Sequence, residues 1–98
     1  MFAGVIMGVA REIIRYKKVR GTRIIEVVVW QLSEALPGSE HRYKYRLFYG
    51  MTDGTCLVRY DNERGKGDHR HVGNVEEPYQ FITLRRLMEE FEADCERM

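Results

Sequence analysis

Polar and apolar positions alternate with a period of two along residues 41–49. Tyr43, Tyr45, Leu47 and Tyr49 fall on one face, and Arg42, Lys44, Arg46 and Phe48 on the other. That pattern predicts a strand. Residues 23–32 carry Ile24, Ile25, Val27, Val28, Val29 and Trp30, apolar toward both faces, which predicts a strand inside a sheet. Residues 11–18 place Ile13, Ile14 and Tyr16 among charges and read as its hairpin partner across Val19-Arg20-Gly21-Thr22. A loop follows at residues 33–40, marked by Pro37-Gly38. Thr52-Asp53-Gly54-Thr55 reads as a second hairpin turn, with a return strand over residues 55–60. Beyond residue 82 the period changes. Leu84, Leu87, Met88, Phe91 and Cys95 form one helical stripe, Thr83 suits the N-cap, and Ile82 and Leu87 suit a hydrophobic staple. Glu89, Glu90, Glu92, Asp94 and Glu96 then fall to the solvent side. The predicted fold class is α+β: an antiparallel β-meander of about four to five strands with one C-terminal amphipathic helix packed on one face. Residues 1–98 make a single domain, with an apolar N-terminal extension over 1–9, the sheet over 11–60 and the helix over 83–97.

Composition narrows the function classes. The 98 residues suit one small domain, and no apolar run approaches the ~20 residues that a membrane span needs. The start, residues 1–10, is apolar without a basic flank, so it reads as an extra strand, a tail that packs on a partner (a second copy in a homodimer among them) or an artefact of the start codon, and not as a signal peptide. Cys56 and Cys95 are too few and too far apart for a disulfide framework or a zinc knuckle, and they suit a reducing cytoplasm. Both lie on apolar stripes, where thiols pack as core residues. Trp30 is expected in the core and His41 at an exposed turn. The net charge of +1 hides an asymmetry. Residues 11–49 hold nine bases and four acids, whereas residues 83–98 hold three bases and five acids. A basic sheet facing an acidic helix accounts for this, as does a basic face that binds phosphates.

The most unusual stretch is Tyr60-Asp61-Asn62-Glu63-Arg64-Gly65-Lys66-Gly67-Asp68-His69-Arg70-His71. It mixes acids, bases and imidazoles around two glycines and has no apolar residue before Val72. Residues 60–72 are therefore expected to form an active loop held by the sheet, with the glycines allowing unusual backbone angles. Together with Tyr43-Lys44-Tyr45-Arg46-Leu47, Arg59 and Glu76-Glu77-Pro78-Tyr79-Gln80-Phe81, this block resembles the TumE-type toxins of prokaryotic toxin–antitoxin pairs. The similarity runs from about Ala10 to near the C-terminus. It implies a toxin encoded beside a helix-turn-helix antitoxin, and it leaves the chemistry to be read from the residues.

Metal-independent RNA cleavage needs a base for the 2′-hydroxyl, an acid for the leaving 5′-oxygen and cations for the phosphate. His69 and His71 are the lead acid/base candidates, since an imidazole titrates near neutral pH. Asp61, Glu63 and Asp68 are candidates to orient an imidazole or to act as base. Arg64, Lys66 and Arg70, with Arg59, suit the phosphate. Tyr43, Tyr45 and Tyr60 could stack splayed bases while Arg42, Lys44 and Arg46 track the backbone, or these tyrosines are simply half-buried core. Two alternatives stand beside this reading. In one, His69 and His71 hold a metal with Asp61, Glu63 or Asp68 as third ligand, although the neighbouring cations would repel it. In the other, the protein is a non-catalytic RNA- or protein-binding module. Lys66 between Gly65 and Gly67 is not a phosphate-binding loop, because the spacing is wrong and no Ser or Thr follows. The expectation is a cytoplasmic ribonuclease toxin without a cofactor, with RNA and an antitoxin as partners.

Overall fold

The computed structural model describes residues 9–98, so the expected apolar extension lies outside the described residues except for Val9. Six strands follow one another: β1 (Ala10–Arg20), β2 (Arg23–Leu32), β3 (Tyr43–Met51), β4 (Cys56–Glu63), β5 (Gly67–Val72) and β6 (Val75–Pro78). One helix among the described residues, α1 (Leu84–Glu96), comes after them. The strands form one antiparallel sheet whose spatial order is their chain order. The meander and the helix are as expected, with two strands more than the lower estimate.

Both additional strands come from stretches whose residue types hide a strand. The segment expected to be an active loop is a hairpin: β4 continues to Glu63, and β5 begins at Gly67. Gly65 (φ 80°) and Gly67 (φ 78°) supply the left-handed backbone that its tight turn requires, and Lys66 N–H donates to the Glu63 carbonyl at 3.0 Å. The glycines thus serve a turn, not a flexible loop. β6 contains Glu76, Glu77 and Pro78, poor strand formers that are tolerated on a short edge strand.

The N-terminal cap of α1 is as expected, whereas Ile82, expected in a hydrophobic staple, is exposed. Thr83 caps the helix, its Oγ1 accepting from Arg86 N–H at 3.1 Å. Leu87 and Phe91 enter a core with Val27, Val29, Tyr45, Leu47, Val58 and Tyr60. Trp30 is a correction. It is half-buried and stands outside this core, because its ladder partners Glu12 and Lys44 place it on the face opposite α1. Asp94 is a second correction, since only 2 % of it is exposed.

Near the Asp53-Gly54 turn the ladder shifts by one residue between Tyr49 and Gly50. A Cβ at Gly50 would stand 2.2 Å from the Thr55 carbonyl oxygen and 2.6 Å from the Phe48 ring. The carbonyl belongs to backbone and cannot swing aside. Gly50→Ala is therefore expected to destabilise the protein by about 1–3 kcal/mol, read as a lower urea midpoint with unchanged slope.

Candidate active site

Directly opposed residues in a ladder share a face, so the register sorts the candidate residues into two groups. Tyr43, Tyr45, Tyr60, Asp68 and Arg70 point to the α1 side, in register with the core residues Val29, Leu47 and Val58. Lys44, Arg46, Arg59, Asp61, His69 and His71 point to the open face. Glu63 ends β4, Arg64 and Lys66 sit in the exposed turn, and Arg42 is exposed just before β3. The expected site is thus divided by the sheet.

On the α1 side the residues are engaged in structure. Arg70 is held by three partners. Its Nε and Nη2 donate to the Asp94 carboxylate at 2.8 and 2.9 Å, its Nη1 donates to Glu77 Oε2 at 2.8 Å, and its Nε also reaches the Tyr60 hydroxyl at 2.8 Å. Tyr60 and Arg97 donate to Asp94 as well. Burial alone would raise the Asp94 carboxyl, but hydrogen bonds from Arg70, Tyr60 and Arg97 outweigh it and hold the group below its ordinary value of 3.8. Arg70 is therefore a clamp between β5 and α1 and has no fork free for a phosphate. Tyr45 and Tyr60 are each only 1 % exposed, so neither presents a ring face to a base. Tyr43 is half-buried, its ring centroid 5.6 Å from that of Phe81.

Asp68 does orient an imidazole, but that of His41. His41 Nε2 donates to Asp68 Oδ2 at 2.8 Å, and its Nδ1 accepts from Tyr43 N–H at 3.1 Å. Both ring nitrogens are thereby occupied, and the ring stacks on Phe81 at 3.9 Å between centroids. The Tyr45 hydroxyl donates to the same carboxylate oxygen at 2.6 Å, and burial together with this bond raises the Tyr45 hydroxyl above its ordinary value. The Asp68 carbonyl accepts from Tyr79 N–H at 2.9 Å. His41, expected at an exposed turn, is part of a buried tie. No pattern in residues 33–42 announces this, because the contact depends on Asp68 from another strand.

The open face holds the reactive types. Arg46, Asp61 and His69 are consecutive partners across β3, β4 and β5, and Phe48, Arg59 and His71 form the next row. The two imidazoles stand about 7 Å apart along β5, two residues at 3.4 Å each. His69 Nε2 lies 3.0 Å from the Lys66 carbonyl, and His71 Nε2 2.7 Å from the Gly73 carbonyl. A carbonyl only accepts, so each Nε2 carries a proton and each Nδ1 is left free of these contacts. Arg59 Nε lies 3.3 Å from Asp61 Oδ2 in an ion pair that is not aligned as a hydrogen bond. Among the described residues, the buried side-chain polar atoms without a hydrogen-bond partner are Arg59 Nε and His71 Nδ1, on directly opposed residues. Buried polar groups are rarely left so, and where they are, strain, a catalytic role or a bound water or ion accounts for them.

No three His, Cys, Asp or Glu side chains come together in a metal-holding group among the described residues. Asp68, one of the considered third ligands, lies on the far side of the sheet from His69 and His71. Lys66 is 3.5 Å from Glu63 in an exposed pair. A cavity of about 630 Å³, lined by Val19, Ile24, Ile25, Tyr49 and Cys95 among others, shares no residue with the histidine cluster. Burial raises both thiols, Cys95 to about 12 with Asp94 adding to the effect. Neither is a ready nucleophile at neutral pH. Iodoacetamide at pH 7.5 is expected to modify the folded protein far more slowly than the urea-unfolded chain, a ratio that mass spectrometry measures.

No helix among the described residues is long and apolar enough to cross a membrane. No match was found among curated proteins or among solved structures. The family described as Toxin TumE matches residues 6–98, nearly the whole chain. The match spans the entire sheet, both histidines of the open face and the α1 clamp, and the chain therefore belongs to the TumE toxin family.

Proposed function

We propose that this toxin cleaves RNA without a metal, using the open face of the hairpin β4–β5. The carrying observation is the juxtaposition of His69, His71, Asp61 and Arg59 on directly opposed ladder positions, with Arg59 Nε and His71 Nδ1 unpartnered. His69 Nδ1 takes the proton of a 2′-hydroxyl. The 2′-oxygen then attacks the adjacent phosphorus, and the bond from phosphorus to the 5′-oxygen breaks. His71 as the imidazolium protonates that oxygen, which leaves a 2′,3′-cyclic phosphate and a 5′-hydroxyl. Arg59 and Arg46 face the charge that builds on the phosphoryl oxygens. Asp61, between Arg46 and His69 in the ladder, is paired with Arg59 and holds that side chain on the open face. An antitoxin encoded beside the toxin, of helix-turn-helix type, is the expected restraint in a type II pair acting in the cytoplasm.

The test is incubation of purified protein with total RNA, with and without EDTA. Cleavage that persists in EDTA and yields cyclic-phosphate ends is the expected result. Cleavage that EDTA abolishes would move His69 and His71 to metal ligands, and RNA left intact at concentrations that bind it would make the face a binding surface only.

A further inference from the structure

The structure assigns a path to the RNA: a single strand laid across the β-strands, with Trp30 as the base-stacking platform and Arg15 and Arg46 as phosphate anchors leading to His69. This assignment rests on the RNA reading above and specifies the substrate class and the positioning residues. Arg15, Val28, Arg46, Asp61 and His69 are successive ladder partners from β1 to β5. Four strand spacings of about 4.8 Å make this row about 19 Å long. That length exceeds a mononucleotide and accommodates roughly four nucleotides, the short end of known single-strand sites. The neighbouring row, through Lys17 and Phe48, is interrupted by Glu26, whereas no carboxylate stands between Arg15 and Arg46. Asp61 is already offset by the Arg59 ion pair.

The aromatic residues on this face decide between strand and duplex. Phe48 is 8 % exposed, and the Arg46 guanidinium lies over its ring at 5.0 Å, so it offers nothing to a base. Trp30 is half-buried two residues along the strand from Val28, with Glu12 and Lys44 as its ladder partners. Stacking on an indole requires an unpaired base with a free face, which a duplex does not present. Arg15 is paired with Glu12 at 2.5 Å, but its side chain is 60 % exposed, and exchanging such a pair for a phosphate costs little. On β1 to β3 Arg15, Lys17, Lys44 and Arg46 outnumber Glu12 and Glu26, whereas Glu63 and Glu76 join this face only toward β4–β6, so a polyanion is drawn to the Arg15–Arg46 end.

The experiment measures fluorescence anisotropy of a labelled octa-uridylate and of a 16-base-pair RNA duplex. The protein carries His69→Ala to block turnover, and Trp30→Ala, Trp30→Phe or Arg15→Glu is added. The single strand is expected to bind at least 10-fold tighter than the duplex. Trp30→Ala is expected to weaken it about 5- to 100-fold, with Trp30→Phe recovering most of the loss. Arg15→Glu is expected to weaken binding and flatten its salt dependence, and its exposed position on the edge strand keeps it informative where Trp30→Ala fails to fold. Equal binding of the duplex overturns the path, as does unchanged binding by both Trp30→Ala and Arg15→Glu. Strand binding with this pattern by a chain that retains His69 but never cleaves overturns the catalytic reading alone. Cleavage that ignores Trp30 and Arg15 overturns the path alone.

Discussion

Asp94→Ala is expected to destabilise the fold by about 3–5 kcal/mol, because it leaves the Arg70 guanidinium and the Tyr60 hydroxyl without their buried partner. Against a total stability of roughly 5–15 kcal/mol, that loss takes a marginal domain close to unfolding. Urea denaturation of wild type, Arg70→Ala, Asp94→Ala and the double variant measures it. The double variant should cost clearly less than the sum of the two singles, since each single already breaks the same clamp. Additive losses would show that Arg70 and Asp94 act independently. The same group sets an acid limb. Asp94 titrates below its ordinary value in the folded protein, so its contribution is complete above about pH 5 and is lost as pH falls through 3.8 toward the lowered folded value. Wild-type stability should therefore fall more steeply than that of Asp94→Asn in this window. Equal slopes would remove Asp94 from the acid response.

His69→Ala is expected to lower RNA cleavage by about 10²- to 10⁴-fold, the usual worth of a positioned acid or base, and to relieve toxicity in a growth assay. Its thermal midpoint should stay near wild type, because its ring makes only an exposed bond to the Lys66 carbonyl. His71→Ala is expected to reduce cleavage as well but also to lower stability, since its ring is half-buried with one bond to the Gly73 carbonyl. Asp68→Asn provides the contrast. It sits on the far face with His41 and Tyr45, so its effect should appear in stability while cleavage by the folded fraction persists. If His69→Ala cleaves like wild type and Asp68→Asn does not, the catalytic face has been misassigned.

The chain announced its structure wherever inward positions are apolar. Tyr45 and Leu47 in β3 and Leu87 and Phe91 in α1 sit where their periodicity predicted, and Val27 and Val29 lie in β2, the strand expected inside the sheet. Thr83 caps the helix as its residue type suggests. The pattern failed where inward positions are polar. In β4 and β5 these are Asn62, Asp68 and Arg70. Asn62 replaces a packed side chain with bonds from its Nδ2 to the Tyr43 carbonyl at 2.7 Å and from Tyr45 N–H to its Oδ1 at 3.0 Å. A strand whose buried face is satisfied by hydrogen bonds looks like a solvated loop to any hydrophobic count. For the same reason the site was half legible. Residue type singled out His69 and His71, and their i, i+2 spacing put them on one side. Asp68 and Arg70 share the stretch but belong to the other face. The partner of Arg70, Asp94, is 24 residues away, and neither it nor the role of His41 leaves a local signal.

The order of the strands also governs how the protein comes into being. Each strand pairs only with its neighbours in the chain, so the sheet grows by hairpin addition with short loop closures, a topology that favours rapid folding. The helix is synthesised after all six strands, and only then do Leu87, Phe91 and Asp94 close the core side. Until the helix is made, the inner face of the sheet has no Leu87 or Phe91 to pack against and Arg70 has no Asp94. Completion of the helix, not formation of the hairpin that carries the reactive groups, sets the moment at which the molecule becomes stable enough to do harm.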